Sequence, residues 1–519
     1  MISLVIWQLN IEDREREFFM YISTRGKNDN FFAAEAIKAG IAADGGLFVP
    51  TTVPKVTADW LADLIDLDYG KRAFAILSLF LPDYSDGELS SCIDAAYTTD
   101  KFDNAAIAPL VSVSDNKFVL ELWHGPTSAF KDMALQILPH LLSKALSKTN
   151  ETAEIVILTA TSGDTGKAAL EGFKDVEQIK IIVFYPHEGV SPIQRMQMVT
   201  QTGSNVNVVA VKGNFDDTQT GVKRIFNDVK FNADLAARGF QLSSANSINW
   251  GRLAPQIVYY FSAYADMVRD GHLQLGQPVN FVVPTGNFGN ILAGYYAKLM
   301  GLPIAKLICA SNSNNVLTEF LQTGVYNRQR TFHKTVSPSM DILISSNLER
   351  LLYYITGGDT SQVANWMAEL NDSGQYNVGE HYLKAVQQIF WADCVDDEQT
   401  LQVIKAVYND HNYVVDPHTA VAWQVGDRYR EQTGDRTTQI IVSTASPFKF
   451  NESVLSAIED SDCIREKNEF EMLQQLSEIS GYSVPTALAA LENEPVRHEM
   501  VCDKEEMPAV IKQILNLGK

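Results

Sequence analysis

Residues 154–173 read EIVILTATSGDTGKAALEGF, and the order of their parts decides the fold. EIVIL (154–158) is a short β-branched run, TATSGDTG (159–166) is a loop of small and hydroxyl-bearing residues, and KAALEGF (167–173) opens a helical period. The same order returns in VNFVV (279–283), PTGNFGN (284–290) and ILAGYYAKLMG (291–301). IKIIVFY (179–185), VNVVAV (206–211), AKLICA (305–310) and QIIVS (439–443) are further apolar runs without alternation, as strands covered on both faces require. The pattern predicts an α/β chain with mostly parallel sheets. Ligands of such sheets sit at the loops leaving the strands' carboxyl ends, where both glycine-bearing loops fall.

Around this centre the chain is long, at 519 residues, so two to four domains are expected. Residues 20–105 carry mostly helical periods and read as an N-terminal domain. Residues 456–519 are again helical and charge-rich, and read as a C-terminal helical appendage. Residues 106–150 and 250–455 are assigned to a large α/β domain and 151–249 to a small one. The opening MISLVIWQLN is too short to span a bilayer and runs into IEDRERE, so residues 1–19 are expected to be a non-native or disordered leader. Forty-two basic against 63 acidic residues give a net charge of -21, which speaks against nucleic acid or an anionic membrane as partner. Five single cysteines, with no Cys-x-x-Cys and no histidine cluster, imply a reducing cytoplasmic setting and no metal site.

HGPTSAFKDMALQ (124–136) places Lys131 after a Gly-Pro turn and before an apolar helical period. It is either a solvated first-turn residue or a nucleophile. Pro139 should kink the helix that follows, because its ring excludes the hydrogen bond to the carbonyl of Leu135. TSGDTGK (161–167) fails as a nucleotide-binding P-loop, since position 161 is Thr and position 168 is Ala. It remains a helix-opening turn whose Ser162, Thr165 and backbone N–H groups suit a carboxylate or phosphate. PTGNFGN has two glycines that let a ligand approach but lacks the dinucleotide spacing, so a phosphate monoester fits it better. SINWGRL (247–253) offers Ser247, Asn249 and Arg252 to a single anion, and STASPFKF (443–450) puts the hydroxyls of Ser443 and Thr444 at the end of a buried strand. Taken singly, each loop reads more simply as scaffold.

Together they supply what a phosphorylated aldehyde cofactor needs: a lysine, a phosphate nest, a partner for a ring nitrogen and a second nest for a substrate carboxylate. The ordered set MYISTRG (20–26), GIAADGGLFVP (40–50), HGPTSAFKD, TSGDTG, NSINWGR, VPTGNFGN, SPSMDI (337–342) and STASPFKF resembles the threonine synthase family of pyridoxal-phosphate enzymes, in its longer branch. The resemblance implies two open, mostly parallel twisted sheets of the fold type II class, and pyridoxal 5'-phosphate as cofactor. It implies Lys131 as the Schiff-base lysine and proton carrier, Gly286, Asn287, Phe288, Gly289 and Asn290 as the phosphate cradle, and Thr444 as partner of the ring nitrogen. It further implies Ser162, Asp164 and Thr165 near the substrate carboxylate, and Ser247, Asn249 and Arg252 on the substrate phosphate. The implied reaction converts O-phospho-L-homoserine and water to L-threonine and phosphate, in a monomer or homodimer. A helix dipole at Lys131, with burial, is expected to favour its neutral form. Two departures stand out: Ser446 where many members have His, and Pro139. A phospho-lyase on phosphothreonine, a hydroxy-amino-acid dehydratase and an idle scaffold homologue are the rival readings.

Overall fold

The computed structural model of the chain describes residues 19–26, 30–161, 163–187, 190–459 and 464–518. The expected leader, except Phe19, and the site residue Ser162 lie outside them. Phe19 itself is no leader residue, because its ring packs edge-on against Tyr21 and Phe80.

The strands run, in chain order, β1 (Tyr21–Ser23), β2 (Phe48–Pro50), β3 (Leu110–Ser114), β4 (Lys117–Glu121), β5 (Glu154–Ala160), β6 (Ile179–Pro186), β7 (Val206–Val211) and β8 (Phe240–Ser243). They continue with β9 (Val279–Pro284), β10 (Ile304–Ser311), β11 (Val325–Asn327), β12 (Gln375–Asn377), β13 (Phe390–Cys394), β14 (Gln439–Ser443) and β15 (Met500–Cys502). Six strands form the larger sheet in the order β13-β10-β9-β14-β4-β3, parallel except for β3 on the edge. Five form the smaller sheet, β15-β7-β6-β5-β8, parallel throughout. Every apolar run singled out in the sequence is a strand. Burial of β9 and β14 along their whole length explains why those strands lack alternation.

The helix Trp250–Arg269 is buried on every side from Trp250 to Met267. It packs against the helices Tyr69–Phe80 and Gly289–Met300, so apolar residues 20–105 share one continuous core with the larger sheet. An ion pair crosses this junction: Arg72 meets Asp266 at 2.7 Å, both side chains under a tenth exposed, and donates also to the carbonyls of Leu64 and Ile65. Those extra bonds matter, since a buried pair offsets its desolvation only when its remaining hydrogen-bonding groups are satisfied.

Two expectations need correction. The C-terminal segment is not an appendage, because Met500–Cys502 extends the smaller sheet in register with Val209–Val211. Met507, Val510 and Ile511 belong to the same buried cluster as Phe184 and Val211 of that sheet, while Met472, Leu473 and Leu476 belong to the cluster that contains Val282 and Ile441 of the larger one. Nor does Pro139 kink a continuous helix. The chain forms a four-residue helix, Asp132–Leu135, then a fresh one, Leu138–Lys148, with Pro139 in its first turn where a missing N–H costs nothing. The carbonyl that Pro139 would have bonded, that of Leu135, instead faces Gly172 on the helix Asp164–Phe173.

A Cβ on Gly172 would stand 2.0 Å from that carbonyl oxygen. Gly172→Ala is therefore expected to destabilise the fold by about 1–3 kcal/mol, the usual cost of forcing a backbone shift in a packed interior. Denaturant titration checks it. An unchanged midpoint would mean that the two helices yield freely.

Candidate active site

The loop that carries Lys131 is folded by its own side chains and then fastened to β14. Asp132 turns back and accepts from the Thr127 N–H and hydroxyl, each at 2.8 Å. Gly125 permits this turn, since a Cβ there would lie 2.5 Å from the Asp132 Cβ. Ser128 takes a left-handed conformation, φ 57°, and its carbonyl accepts from the Ser446 N–H at 3.1 Å. The Phe130 N–H donates to the Thr444 carbonyl at 2.8 Å. Lys131 and Thr444, 313 positions apart in the chain, are thereby held on one loop pair. The Ser443 hydroxyl is occupied by Thr419 and Trp123, whereas the Thr444 hydroxyl makes no hydrogen bond to the described residues. Ser446 accepts from the Phe448 N–H and caps the turn Pro447–Phe450, which gives the departure a structural role.

From the smaller sheet's side comes Asp164. Its Oδ1 lies 2.6 Å from Lys449 Nζ and accepts from Gln194 Nε2 at 3.0 Å. Its Oδ2 accepts from the Ser339 hydroxyl at 3.2 Å and stands 4.0 Å from Lys131 Nζ. Burial works against an ionised Asp164, but Lys449 and Lys131 outweigh it and hold the carboxyl well below the usual range. Burial, then the charges of Lys449 and Arg252, bring Lys131 down to about 8, against the pull of Asp164 and Asp132. The expected dipole contributes little, because the helix after Lys131 has four residues. In the turn itself, Thr161 Oγ1 accepts the N–H groups of Gly163 and Gly166, which leaves those of Asp164 and Thr165 at the helix start. Asp164 thus has its carboxylate committed to lysines, and only its N–H is open to a substrate carboxylate.

PTGNFGN forms the start of the helix Gly289–Met300. The carbonyls of Gly286 and Asn287 are held by the Ser345 hydroxyl at 2.9 Å and the Asn347 N–H at 3.1 Å. In a planar trans peptide the following N–H points the opposite way, so those of Asn287 and Phe288 are turned from segment 345–347. Phe288, at φ 61°, sits left-handed at the N-cap and offers no side-chain acceptor. The first-turn N–H groups therefore remain for a ligand. Asn290 Oδ1 accepts from the Tyr259 and Tyr260 hydroxyls, while its buried Nδ2 has no partner among the described residues.

The third cluster is SINWGRL. Arg252 is 4% exposed, donates through one nitrogen to the Ala245 carbonyl at 2.8 Å, and has a buried Nε without a partner among the described residues. No carboxylate pairs with it among the described residues, and burial pushes it down to about 10. Ser247 faces Ser346 and Asn347, both at 3.4 Å. Asn249 does not join them. Its Oδ1 accepts from the Gly251 N–H and its Nδ2 donates to the Ile37 carbonyl, so the amide is spent on capping a helix and fastening the N-terminal segment.

Several residues here were not singled out by chemistry in the sequence. Lys449 lay inside the quoted STASPFKF without a role. His418 Nε2 accepts from the Ser339 N–H at 3.1 Å, which places the ring proton on Nδ1, 2.7 Å from Asp416. Arg350, fully buried, donates to the carbonyls of Phe48 and Ile248 and to Asn347 Oδ1. The sequence signal at Asp416-Pro417 is a capped helix start, which locates His418 but says nothing of its bond.

Residues 20–97 match the family described as threonine synthase N terminus, 109–445 that of pyridoxal-phosphate dependent enzymes, and 419–514 the threonine synthase C-terminal family. The chain is 39% identical to the threonine synthase of Schizosaccharomyces pombe, over 84% of this chain and 89% of that one. This chain belongs to the threonine synthase family. Its fold agrees: it superposes on the crystal structure of the yeast threonine synthase with a TM-score of 0.85 at 36% identity, covering 96% of this chain and 99% of that one. The pyridoxal-phosphate-bound enzyme from Brucella melitensis gives 0.84, at the same identity and coverage. As a family member the chain is a pyridoxal-phosphate-dependent lyase. The residues present fit that cofactor: a depressed lysine amine, an uncapped helix start, a buried amide donor without a partner and a hydroxyl at the end of β14.

One histidine tests the scaffold of this site. His124 has Nδ1 2.5 Å from Asp103 and Nε2 2.8 Å from Glu121. Burial opposes its charge, yet the two carboxylates prevail and raise it to about 9. A raised folded value means stability fully present below the unfolded value of about 6.5 and lost as pH rises through 9. The stability gap between wild type and His124→Asn should accordingly shrink between pH 6.5 and 9. A gap independent of pH would show that the ring acts by packing alone.

Proposed function

We propose that the site converts O-phospho-L-homoserine and water to L-threonine and phosphate, with the roles distributed as follows. Lys131 holds the cofactor through its amine, the N–H groups and amide of residues 286–290 hold its phosphate, and the Thr444 hydroxyl meets its ring nitrogen. The N–H groups of Asp164 and Thr165, with Ser162, receive the substrate carboxylate. Ser247 and Arg252 receive the substrate phosphate, and Asn249 supports them from behind. The observation that carries the reading is Arg252, a buried guanidinium with no carboxylate partner among the described residues and with its Nε left open. A group so placed is costly unless a ligand brings the anion, and a phosphate ester matches its fork.

When bound, the cofactor supplies an electron sink that acidifies the substrate's carbon–hydrogen bonds. Lys131, with an amine that is about half neutral at pH 8, can take the α-proton and release it to solvent before taking a β-proton, deliver that proton to the γ-carbon after phosphate departs, and return a proton to the α-carbon at the end. Arg252 keeps the departing phosphate in place, where its oxygens can accept a proton from the water that adds at the β-carbon. The Thr444 hydroxyl carries no negative charge and would leave the ring nitrogen of the bound cofactor largely unprotonated. A cytoplasmic protein acting as a monomer or homodimer suits the composition. Among the described residues no helix is long and apolar enough to cross a membrane.

Purified protein supplied with O-phospho-L-homoserine should release phosphate and threonine in equal amounts. Phosphate with a 2-oxo acid instead of threonine would identify a phospho-lyase.

Arg252→Lys should keep the fold and lower kcat/KM about ten- to a hundredfold. That range corresponds to losing one arm of a charge-assisted pair, roughly 1.5–3 kcal/mol. An unchanged value would move the substrate phosphate elsewhere.

Lys131→Ala should still bind cofactor reversibly through 286–290, form no borohydride-reducible bond and make no threonine. Borohydride labelling of a different lysine in the native protein would overturn the assignment.

A further inference from the structure

Two lysines face one carboxylate at the centre of the site, and the carboxylate is not shared evenly. Lys449 Nζ is 2.6 Å from Asp164 Oδ1, and Lys131 Nζ is 4.0 Å from Oδ2. We propose that Lys449 is a positioning residue that captures the Asp164 carboxylate and so leaves the Lys131 amine to stand uncharged beside it. The inference rests on Lys131 being the cofactor lysine, and it adds a residue that acts through it.

The geometry supports an ion pair built to stay closed. The Lys449 side chain is wholly buried and donates a second bond to the Thr127 carbonyl at 2.9 Å. Thr127 is the residue clamped by Asp132 in the loop that ends at Lys131, so the bond ties Lys449 to the position of the amine. Asp164 is fixed from its other sides by Gln194 and Ser339, which leaves it little freedom to swing toward Lys131. The charges that act most strongly on Lys131 are Asp164, Lys449, Arg252 and Asp132. Without Lys449, Lys131 is the one cation left within 4.0 Å of the Asp164 carboxylate among the described residues, and the two would pair. A protonated Lys131 neither attacks an aldehyde nor removes a proton from carbon. With Lys449 present, a second cation stands close by and its field disfavours a proton on Lys131, in the direction found for that amine.

The test reads Lys131 directly in cofactor-free protein, by trace acetylation across pH 6–11 with mass-spectrometric quantification of the Lys131 peptide. In wild type the reactivity should rise with a midpoint near 8. In Lys449→Met the midpoint should move up by at least one pH unit, so that reactivity at pH 7 falls about tenfold while that at pH 11 is unchanged. Lys449→Arg keeps the charge and should follow wild type. The double variant Lys449→Met with Asp164→Asn removes both charges and should return the midpoint to the wild-type value or below, which a purely structural role for Lys449 would not do.

A wild-type profile in folded Lys449→Met overturns the proposal, as does Lys449→Arg behaving like Lys449→Met. If Lys449→Met does not fold, the double variant carries the test, and a raised midpoint there refutes the idea. Failure of this kind leaves the assignment of Lys131 intact, because that assignment is read independently by borohydride labelling.

Discussion

The site depends on the carboxylate of Asp164 reaching across from the smaller sheet's side to Lys449, Lys131 and Ser339 on the larger sheet's side. A charge in such a place is expensive, and the bonds that satisfy it define how the two halves meet. Gly163 illustrates the constraint. It adopts φ 153°, and a Cβ there would lie 2.5 Å from the Gln194 amide that itself bonds Asp164. The glycine lets the helix start approach closely enough for its first side chain to span the gap. The same contact puts the carboxylate between two amines, Lys449 Nζ 2.6 Å from Oδ1 and Lys131 Nζ 4.0 Å from Oδ2.

A second constraint comes from the N-terminal segment, whose strands never touch the reacting groups. Arg350 gathers the carbonyl of Phe48 in β2, the carbonyl of Ile248 beside Ser247, and the side chain of Asn347. Asn347 in turn donates to the carbonyls of Ser247 and Asn287, one on each of the loops 247–253 and 284–290. Asn249 adds the link to Ile37. These two loops are thus joined by a hydrogen-bonded bracket anchored outside the larger sheet. Such outer support is what holds binding groups within the narrow tolerance that catalysis requires.

The strands and the loops that leave them were legible because burial on two faces and a demand for small residues both write themselves into local sequence. EIVIL, VNFVV and QIIVS needed nothing distant to be recognised. The ordered motifs likewise carried the family and the cofactor. Less legible were features made by long-range pairing. Lys449 looks like a surface lysine after a proline turn until Thr127 and Asp164, far away in the chain, are brought to it. Asn249 looked like a ligand because its chemistry suits an anion, and only Ile37 and Gly251 reveal that its amide is already spent. Met500–Cys502 is too short to announce a strand, and its partner in β7 supplies the pairing that makes it one.

That late strand bears on how the molecule is made. Val209 in β7 pairs with Met500, a separation of 291 positions along the chain. Closing so long a loop costs only slightly more entropy than closing a short one, yet it cannot begin until the distant partner has been synthesised. During translation the smaller sheet must wait with the N–H and C=O groups of the β7 edge unpaired by β15. That edge is closed only when Met500–Cys502 docks on it.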